Sequence, residues 1–299
     1  MIIHPAGPGG ARPARLSSSP GRRAWFGIVP FALFALAFMI LPAGSLFIGS
    51  FQDAEGAFTL ANLAHLARPD ILKSYLVTME VSAVTALAGG LSGLLMAYAV
   101  AQGGLPRFLR SGLLTFSGVA SNFAGVPLAF AFIATMGRVG MVTVLLRTVF
   151  GVNLYAHGFN LYSFWGLCLT YLYFQLPLMV LIITPALDGM KKEWREASES
   201  LGASGFRYWV HIGLPILTPP LLSCMILLFG NAFGAYATAY ALTGGLLNLV
   251  PILIGAQIQG DVLHDPNLGY ALAFGMVVVM TACILAYSAL QKRASRWLR

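Results

Sequence analysis

The sequence predicts an all-α fold, a polytopic membrane protein with six transmembrane helices and both termini in the cytoplasm. Composition is the first of three observations behind this: 58% of the 299 residues are hydrophobic and only 9% are charged. Soluble domains carry about 25% charged residues, so a water-soluble fold would have too little polar surface to cover itself. Second, apolar stretches recur from Trp25 to the C-terminus at about the 20-residue length that a membrane-crossing helix needs. Third, Lys and Arg fall in short clusters between those stretches and favour one side. The stretches are continuously apolar and do not alternate with period two, which excludes a closed β-barrel.

Residues 1–24 are rich in Gly, Pro, Ser and Arg and are expected to form a disordered, basic cytoplasmic N-terminus. The uncharged run 24–51 that follows exceeds the 7 to 15 residues of a signal-peptide core, so it is expected to remain as the first anchor. A single membrane domain, 25–291, is expected, with spans at about 25–50, 74–101, 111–136, 161–187, 216–242 and 268–291. The uncharged stretch 215–260 is too long for one helix, and Gly244, Gly245, Asn248 and Pro251 break it. Residues 250–259 are then too short to span and should lie on the outer surface or dip in from it. Residues 292–299 form a basic cytoplasmic C-terminus.

Six spans place both termini on one side. With a cytoplasmic N-terminus the inside segments hold Arg12, Arg15, Arg22, Arg23, Arg107, Arg110, Lys191, Lys192, Arg195, Arg207, Lys292, Arg293, Arg296 and Arg299, whereas Arg68, Lys73, Arg138 and Arg147 remain outside. Fourteen against four sets the orientation. The net charge of +8 does not point to nucleic acid, because a binder of nucleic acid clusters its cations on one accessible face. Cys168, Cys224 and Cys283 lie inside apolar stretches without close spacing, so small buried residues are expected in place of disulfides or a metal site.

The inside loop 188–214 carries the most information. Trp194, Ala197 and Leu201 fall on one stripe of a short helix with charges opposite. Gly202 can take the left-handed conformation that ends a helix. Phe206, Trp209 and Val210 share a second apolar face, and Pro215 suits the first turn of the next span. Two short helices joined to a transmembrane helix could carry a push from a cytoplasmic partner into the membrane.

This loop resembles the signature loop of the integral permeases of binding-protein-dependent ABC importers, whose pattern is Glu-Ala-Ala, three residues, Gly, nine residues, then Ile-any-Leu-Pro. Glu196, Ala197, Gly202, Ile212, Leu214 and Pro215 match at that spacing, with Ser198 in place of the second Ala. The resemblance implies a type I, MetI-like fold and a loop that docks on the ATP-hydrolysing subunit through Glu196, Ala197, Leu201, Gly202, Arg207, Leu214 and Pro215. The other reading is an ordinary amphipathic surface loop. Partners implied are two ATP-binding subunits, a second permease subunit, identical or homologous, an extracytoplasmic solute-binding protein and the lipid bilayer. No cofactor and no nucleic acid are expected. More loosely, residues 174–187 with Pro177, and the run Gly269-Tyr270-Ala271-Leu272-Ala273, look like the branch serving polyamines, ferric iron, phosphonates and thiamine. Polyamine is the first expectation for the solute.

The chain lacks chemistry of its own. None of Lys73, Lys191, Lys192 and Lys292 follows a glycine, so there is no phosphate loop and ATP must be hydrolysed by another chain. The Gly-any-Ser-any-Gly pattern fails at Ser92 and at Ser204 for want of the final glycine. Glu80 is the sole acidic residue within a predicted span and reads as an interfacial carboxylate or a solute contact. A secondary transporter or channel without an ATPase is the main rival, but such proteins commonly place ionisable groups in the bilayer. A membrane-embedded enzyme would have only Glu80 with His65 to offer.

A solute path needs polar groups facing the bundle interior. Asn122, with Ser117 and Ser121, supplies one set on the third span. Asn231, Tyr236, Thr238, Tyr240 and Thr243 supply another on the fifth, beside Gly230 and Gly234, whose spacing favours close helix packing. Such residues either bond across helices or line a passage. In the family that the loop resembles, the third and fifth spans contribute to the central passage, so Asn122, Asn231, Tyr236, Thr238 and Tyr240 are expected on its wall.

Overall fold

A helix in lipid satisfies its own backbone, so what the side chains must specify is where helices touch. A computed structural model describes residues 22–259 and 265–295, and every regular element among them is helical. Among the described residues six stretches are long and apolar enough to cross a bilayer: Ile28–Gly49, Pro69–Gln102, Val126–Val149, Phe164–Asp188, Gly205–Phe233 and Pro266–Ala289. The first, second, fourth and sixth fall within a few residues of the predicted spans. The third and fifth are built differently.

Among the described residues, those up to Leu46 form one unit and those from Phe47 onward another. Helix α1 (Arg22–Ala35) passes through a π turn at Leu36–Ile40 into α2 (Leu41–Gly49), which ends in the second unit. Phe31, Leu33, Phe34 and Phe38 are all exposed, an apolar surface suited to lipid or to packing against protein. The predicted disordered segment lies outside the described residues up to position 21, and Arg22–Ala24 already belong to α1.

The second unit holds α3 (Ala61–His65), α4 (Pro69–Gln102), α5 (Arg107–Asn122), α6 (Val126–Met136), α7 (Met141–Val149), α8 (Phe164–Asp188), α9 (Lys192–Ser200), α10 (Gly205–Tyr208), α11 (Leu214–Phe233), α12 (Ala237–Thr243), α13 (Val250–Gln259) and α14 (Pro266–Ser295). Residues 292–295, expected in the C-terminal tail, continue α14, and 296–299 lie outside the described residues.

Helix α4 packs against α8 and α11 at the centre. A Cβ on Gly89 would stand 2.7 Å from the Gln175 Cβ, and one on Gly93 would stand 2.6 Å from the Met179 Cβ and 2.8 Å from the Leu176 carbonyl oxygen. Bare backbone there lets α4 lie directly on α8. The Gln175 Nε2 donates to the Leu228 carbonyl at 2.9 Å and ties α8 to α11. Along α4, the buried Thr78, Ser82 and Thr85 each donate to a carbonyl one turn earlier, so these hydroxyls are satisfied within lipid-depth structure. The Thr78 oxygen also accepts from the Val250 N–H at 3.0 Å, and the Tyr75 hydroxyl donates to the Leu272 carbonyl at 2.6 Å. These bonds seat α13 and α14, and Val250, Pro251 and Ile252 are buried.

The predicted third span, 111–136, is two half-helices. Its backbone breaks at 123–125, where Gly125 has φ +75°, a conformation that glycine adopts without a steric cost. Helix α5 runs antiparallel to α8, pairing Arg110 with Asp188 at one end and placing Phe123 6.0 Å from the Tyr173 ring midway. Helix α6 continues toward the start of α8, with Leu128 and Ala129 in one buried cluster with Leu161 and Leu167. The stretch Val126–Val149, continuous by apolar character, is itself interrupted between Met136 and Met141. The predicted fifth span, 216–242, also divides, because α11 ends at Phe233 and the chain turns before α12.

Replacing Gly93 with leucine is expected to destabilise the α4–α8 contact by roughly 1–3 kcal/mol through overpacking. Cys168 and Cys224 are buried, so a thiol-reactive dye should report a lower melting midpoint for the detergent-solubilised variant. An unchanged midpoint would show that the contact is loose.

Candidate functional site

The loop between α8 and α11 folds as a helical hairpin whose two ends are fixed by different devices. Lys191 is extended and opens α9. At the other end, Gly202 takes φ +77°, its N–H donates to the Glu199 carbonyl at 2.9 Å and the Ala203 N–H donates to the Ser198 carbonyl at 3.0 Å. This paired arrangement closes a helix through a left-handed residue. The Ser204 hydroxyl then accepts from the Arg207 N–H at 3.4 Å and starts α10.

Helix α10 does not stop before the membrane. It passes through a π turn at Trp209–Gly213 into α11, so Gly205–Phe233 is one helical run. A Cβ at Gly213 would stand 2.6 Å from the Trp209 ring, so a glycine makes room for the indole. Trp209 meets Tyr98 of α4 edge-on, with centroids 5.2 Å apart. Pro215 lies in the first turn of α11.

The faces of the hairpin differ from the expected stripe. Trp194 is partly buried against the core and Ser198 is buried, whereas Ala197 and Leu201 are exposed. The seam of α9 therefore runs along Trp194 and Ser198, one turn apart, and Ser198 occupies the tight position. Leu201 is 88% exposed and Phe206 78% exposed, which leaves two large apolar side chains at the hairpin tip with nothing among the described residues over them. Glu196, Arg207 and Leu214 are exposed as well. Arg195 pairs with Glu199 at 2.9 Å, and that hydrogen bond holds the guanidinium pKa above its ordinary value.

The predicted passage residues distribute unevenly. Asn122 is exposed at the end of α5, where its amide donates to the Gly118 carbonyl at 2.8 Å. Asn231 is exposed near the end of α11 and makes no side-chain hydrogen bond among the described residues. Each lies roughly 20–25 Å along its helix at 1.5 Å per residue. Tyr236 stands at the turn before α12 and stacks on the exposed Tyr240, with centroids 5.5 Å apart. Thr238 is buried, and its hydroxyl oxygen accepts from the Gly125 N–H at 2.7 Å. That bond joins the break between α5 and α6 to α12.

Two residues escaped the sequence reading. Gly125 sits in Asn-Phe-Ala-Gly-Val-Pro, a breaker pattern masked by its apolar surroundings. Gln175 is fully buried in α8, and its Oε1 has no partner among the described residues. A lone amide within an apolar span was the signal for it.

The family model described as "Binding-protein-dependent transport system inner membrane component" matches residues 89–299. A probable sulfate transport system permease protein of Nephroselmis olivacea is 26% identical over 232 residues, covering 76% of each chain. The molybdenum transport system permease protein ModB of Mycobacterium bovis is 25% identical over 232 residues, 76% of this chain and 82% of that one. In fold, the chain is similar to a chain of a bacterial ABC transporter involved in the import of the acidic polysaccharide alginate, with a TM-score of 0.71 at 15% identity, covering 91% of this chain and 96% of that one.

Replacing Thr238 with valine keeps the shape but removes the acceptor for Gly125. A buried N–H left without a partner costs about 1–3 kcal/mol, so hydrogen exchange at residues 123–126 should quicken, and Thr238→Ser should restore protection. Equal exchange in all three proteins would mean that the bond does not hold the break.

Proposed function

The chain belongs to the family of binding-protein-dependent transport system inner membrane components, permease subunits of ABC importers, and we propose that the solute it passes is a small oxyanion of the sulfate or molybdate class. The observation that carries this is the pair of relatives named for sulfate and molybdenum transport. It replaces the polyamine expectation, which those relatives do not support. The side chains near the helix breaks favour the same reading. Asn122, Asn231, Tyr236 and Tyr240 offer uncharged hydrogen-bond donors, and no carboxylate stands among them to attract a polycation.

In this reading both termini face the cytoplasm, as the bias of Lys and Arg suggests. The hairpin 188–214 docks on an ATP-binding subunit, with Leu201 and Phe206 entering its surface and Glu196, Gly202 and Arg207 around them. A pair of permeases, this chain with a copy or a homologue, meets two ATP-binding subunits on one side and a solute-binding protein on the other. Closure of the ATPases on ATP displaces α10. Because α10 and α11 are one helical run of 29 residues, about 44 Å at 1.5 Å per residue, the displacement travels along it toward Asn231, and the pair Pro219 and Pro220 inside α11 is the point where that run can bend. Selectivity rests chiefly with the binding protein, since an uncharged wall gives brief contact.

The test is uptake of labelled sulfate and molybdate by the assembled transporter in liposomes, with binding protein outside and ATP inside. Glu196→Lys and Gly202→Asp should leave the chain inserted but reduce ATP-dependent uptake at least tenfold. The second places a side chain at φ +77°, where the backbone penalty is roughly 1–2 kcal/mol. Normal uptake in both would remove the hairpin from the coupling. Asn231→Leu should slow uptake while the subunits still co-purify; loss of assembly would assign Asn231 to packing. Uptake of a polyamine and of neither oxyanion would sink the proposed solute class.

A further inference from the structure

Where the hairpin meets the end of α4, two cavities adjoin. One, of about 350 Å³, is bounded by Tyr98 and Gln102 on the last turns of α4 and by Lys191, Lys192 and Arg195 on the hairpin. Its charged lining is completed by Glu196 and Glu199. Arg195 and Glu199 neutralise each other as a pair, whereas Lys191 and Lys192 form no ion pair among the described residues. Against the single carboxylate of Glu196 that leaves one surplus positive charge. The second cavity, of about 240 Å³, continues from the first past Tyr98 and Trp209, which line both. Its remaining walls are leucines, among them Leu94, Leu95, Leu187, Leu217 and Leu221, and it runs inward along the spans.

A cationic chamber at the ends of transmembrane helices, opening into a leucine groove at a Tyr–Trp pair, has the polarity profile of one amphiphile in one leaflet. Trp and Tyr favour the level of the lipid headgroup, Lys carries its charge outward on an apolar stem, and basic pockets between helices bind anionic headgroups. We propose that this paired cavity binds an anionic phospholipid of the leaflet nearest the hairpin, with its phosphate against Lys191 and Lys192 and one acyl chain along Leu94, Leu187 and Leu217. The lipid would bridge α4 and the hairpin, so that the lever is held to the membrane surface as well as to the bundle. This inference goes beyond the solute reading and is independent of which solute passes.

The experiment is native mass spectrometry of the assembled transporter, with its ATPase subunits bound, after delipidation and titration with long-chain phosphatidylglycerol, long-chain phosphatidylcholine, dibutyryl phosphatidylglycerol or inorganic phosphate. The expected result is retention of long-chain phosphatidylglycerol in preference to phosphatidylcholine and to the short-chain lipid. In the double variant Lys191→Gln, Lys192→Gln its affinity should fall by roughly tenfold or more, and Lys191→Arg, Lys192→Arg should restore it. Equal retention by the glutamine variant would overturn the site. Displacement by inorganic phosphate at equal concentration, or equal binding of the short-chain lipid, would reduce it to a simple anion pocket. Binding by the isolated permease that vanishes when the ATPase is added would assign the cavity to the protein interface.

Discussion

The contact between α4 and α8 at Gly89 and Gly93 is the constraint from which the other positions follow. With Cβ atoms there, the two helices would have to separate, because Gln175, Met179 and the Leu176 carbonyl already occupy the space. Close approach brings Gln175 within reach of Leu228 on α11, and it brings the end of α4 beside the end of α8, where the Gln102 amide donates to the Leu187 carbonyl at 3.3 Å. Tyr98, one turn earlier on α4, is then the surface on which Trp209 rests. The hairpin inherits its position from glycines about one and a half to two and a half turns before Tyr98.

The helix breaks are a second level of organisation built on that frame. Interrupted backbone at membrane depth is tolerated where protein or a water-filled cavity surrounds it. Here the part-buried N–H of Gly125 meets Thr238 of α12, so the two interruptions satisfy each other in part. The same arrangement leaves Asn122 and Asn231 exposed on either side of the breaks. An exposed amide facing hydrocarbon would be costly, which is why these two residues argue for a polar passage or a subunit boundary and against a lipid-facing wall.

Much of this was legible in the residues. Six spans follow from length and apolar content, and the hairpin from Gly202, Pro215 and the motif around Glu196. Apolar content could not reveal the break at 123–125, because Phe123, Ala124 and Val126 look alike in a helix or a turn and only Gly125 differs. Nor could it separate Thr238 from Tyr240. Both read as polar residues of a span, but one is buried against Gly125 and the other is exposed. The stripe of α9 misled for a related reason. The sequence periodicity pairs Trp194 with Ala197 and Leu201, whereas the fold turns Trp194 and the small Ser198 inward and leaves the larger Leu201 exposed.

The scarcity of charge in the spans gives the hairpin its importance. In the proposed reading, a passage lined by the amides of Asn122 and Asn231 and the phenols of Tyr236 and Tyr240 would hold a solute weakly, so energy and selection would arrive from other chains. Energy that arrives at one end of a helical bundle is useful only if the receiving element does not absorb it. A hairpin joined to α11 by a hinge of glycines would flex under load. One joined by a continuous helix, with Trp209 seated over Gly213 and against Tyr98, would pass displacement on in the proposed reading. Besides the proline pair Pro219 and Pro220 inside α11, this run departs from ordinary helical geometry at the π turn Trp209–Gly213. Such turns often accompany function, and here it lets an aromatic anchor fit at the membrane surface without interrupting the helix that must carry the movement.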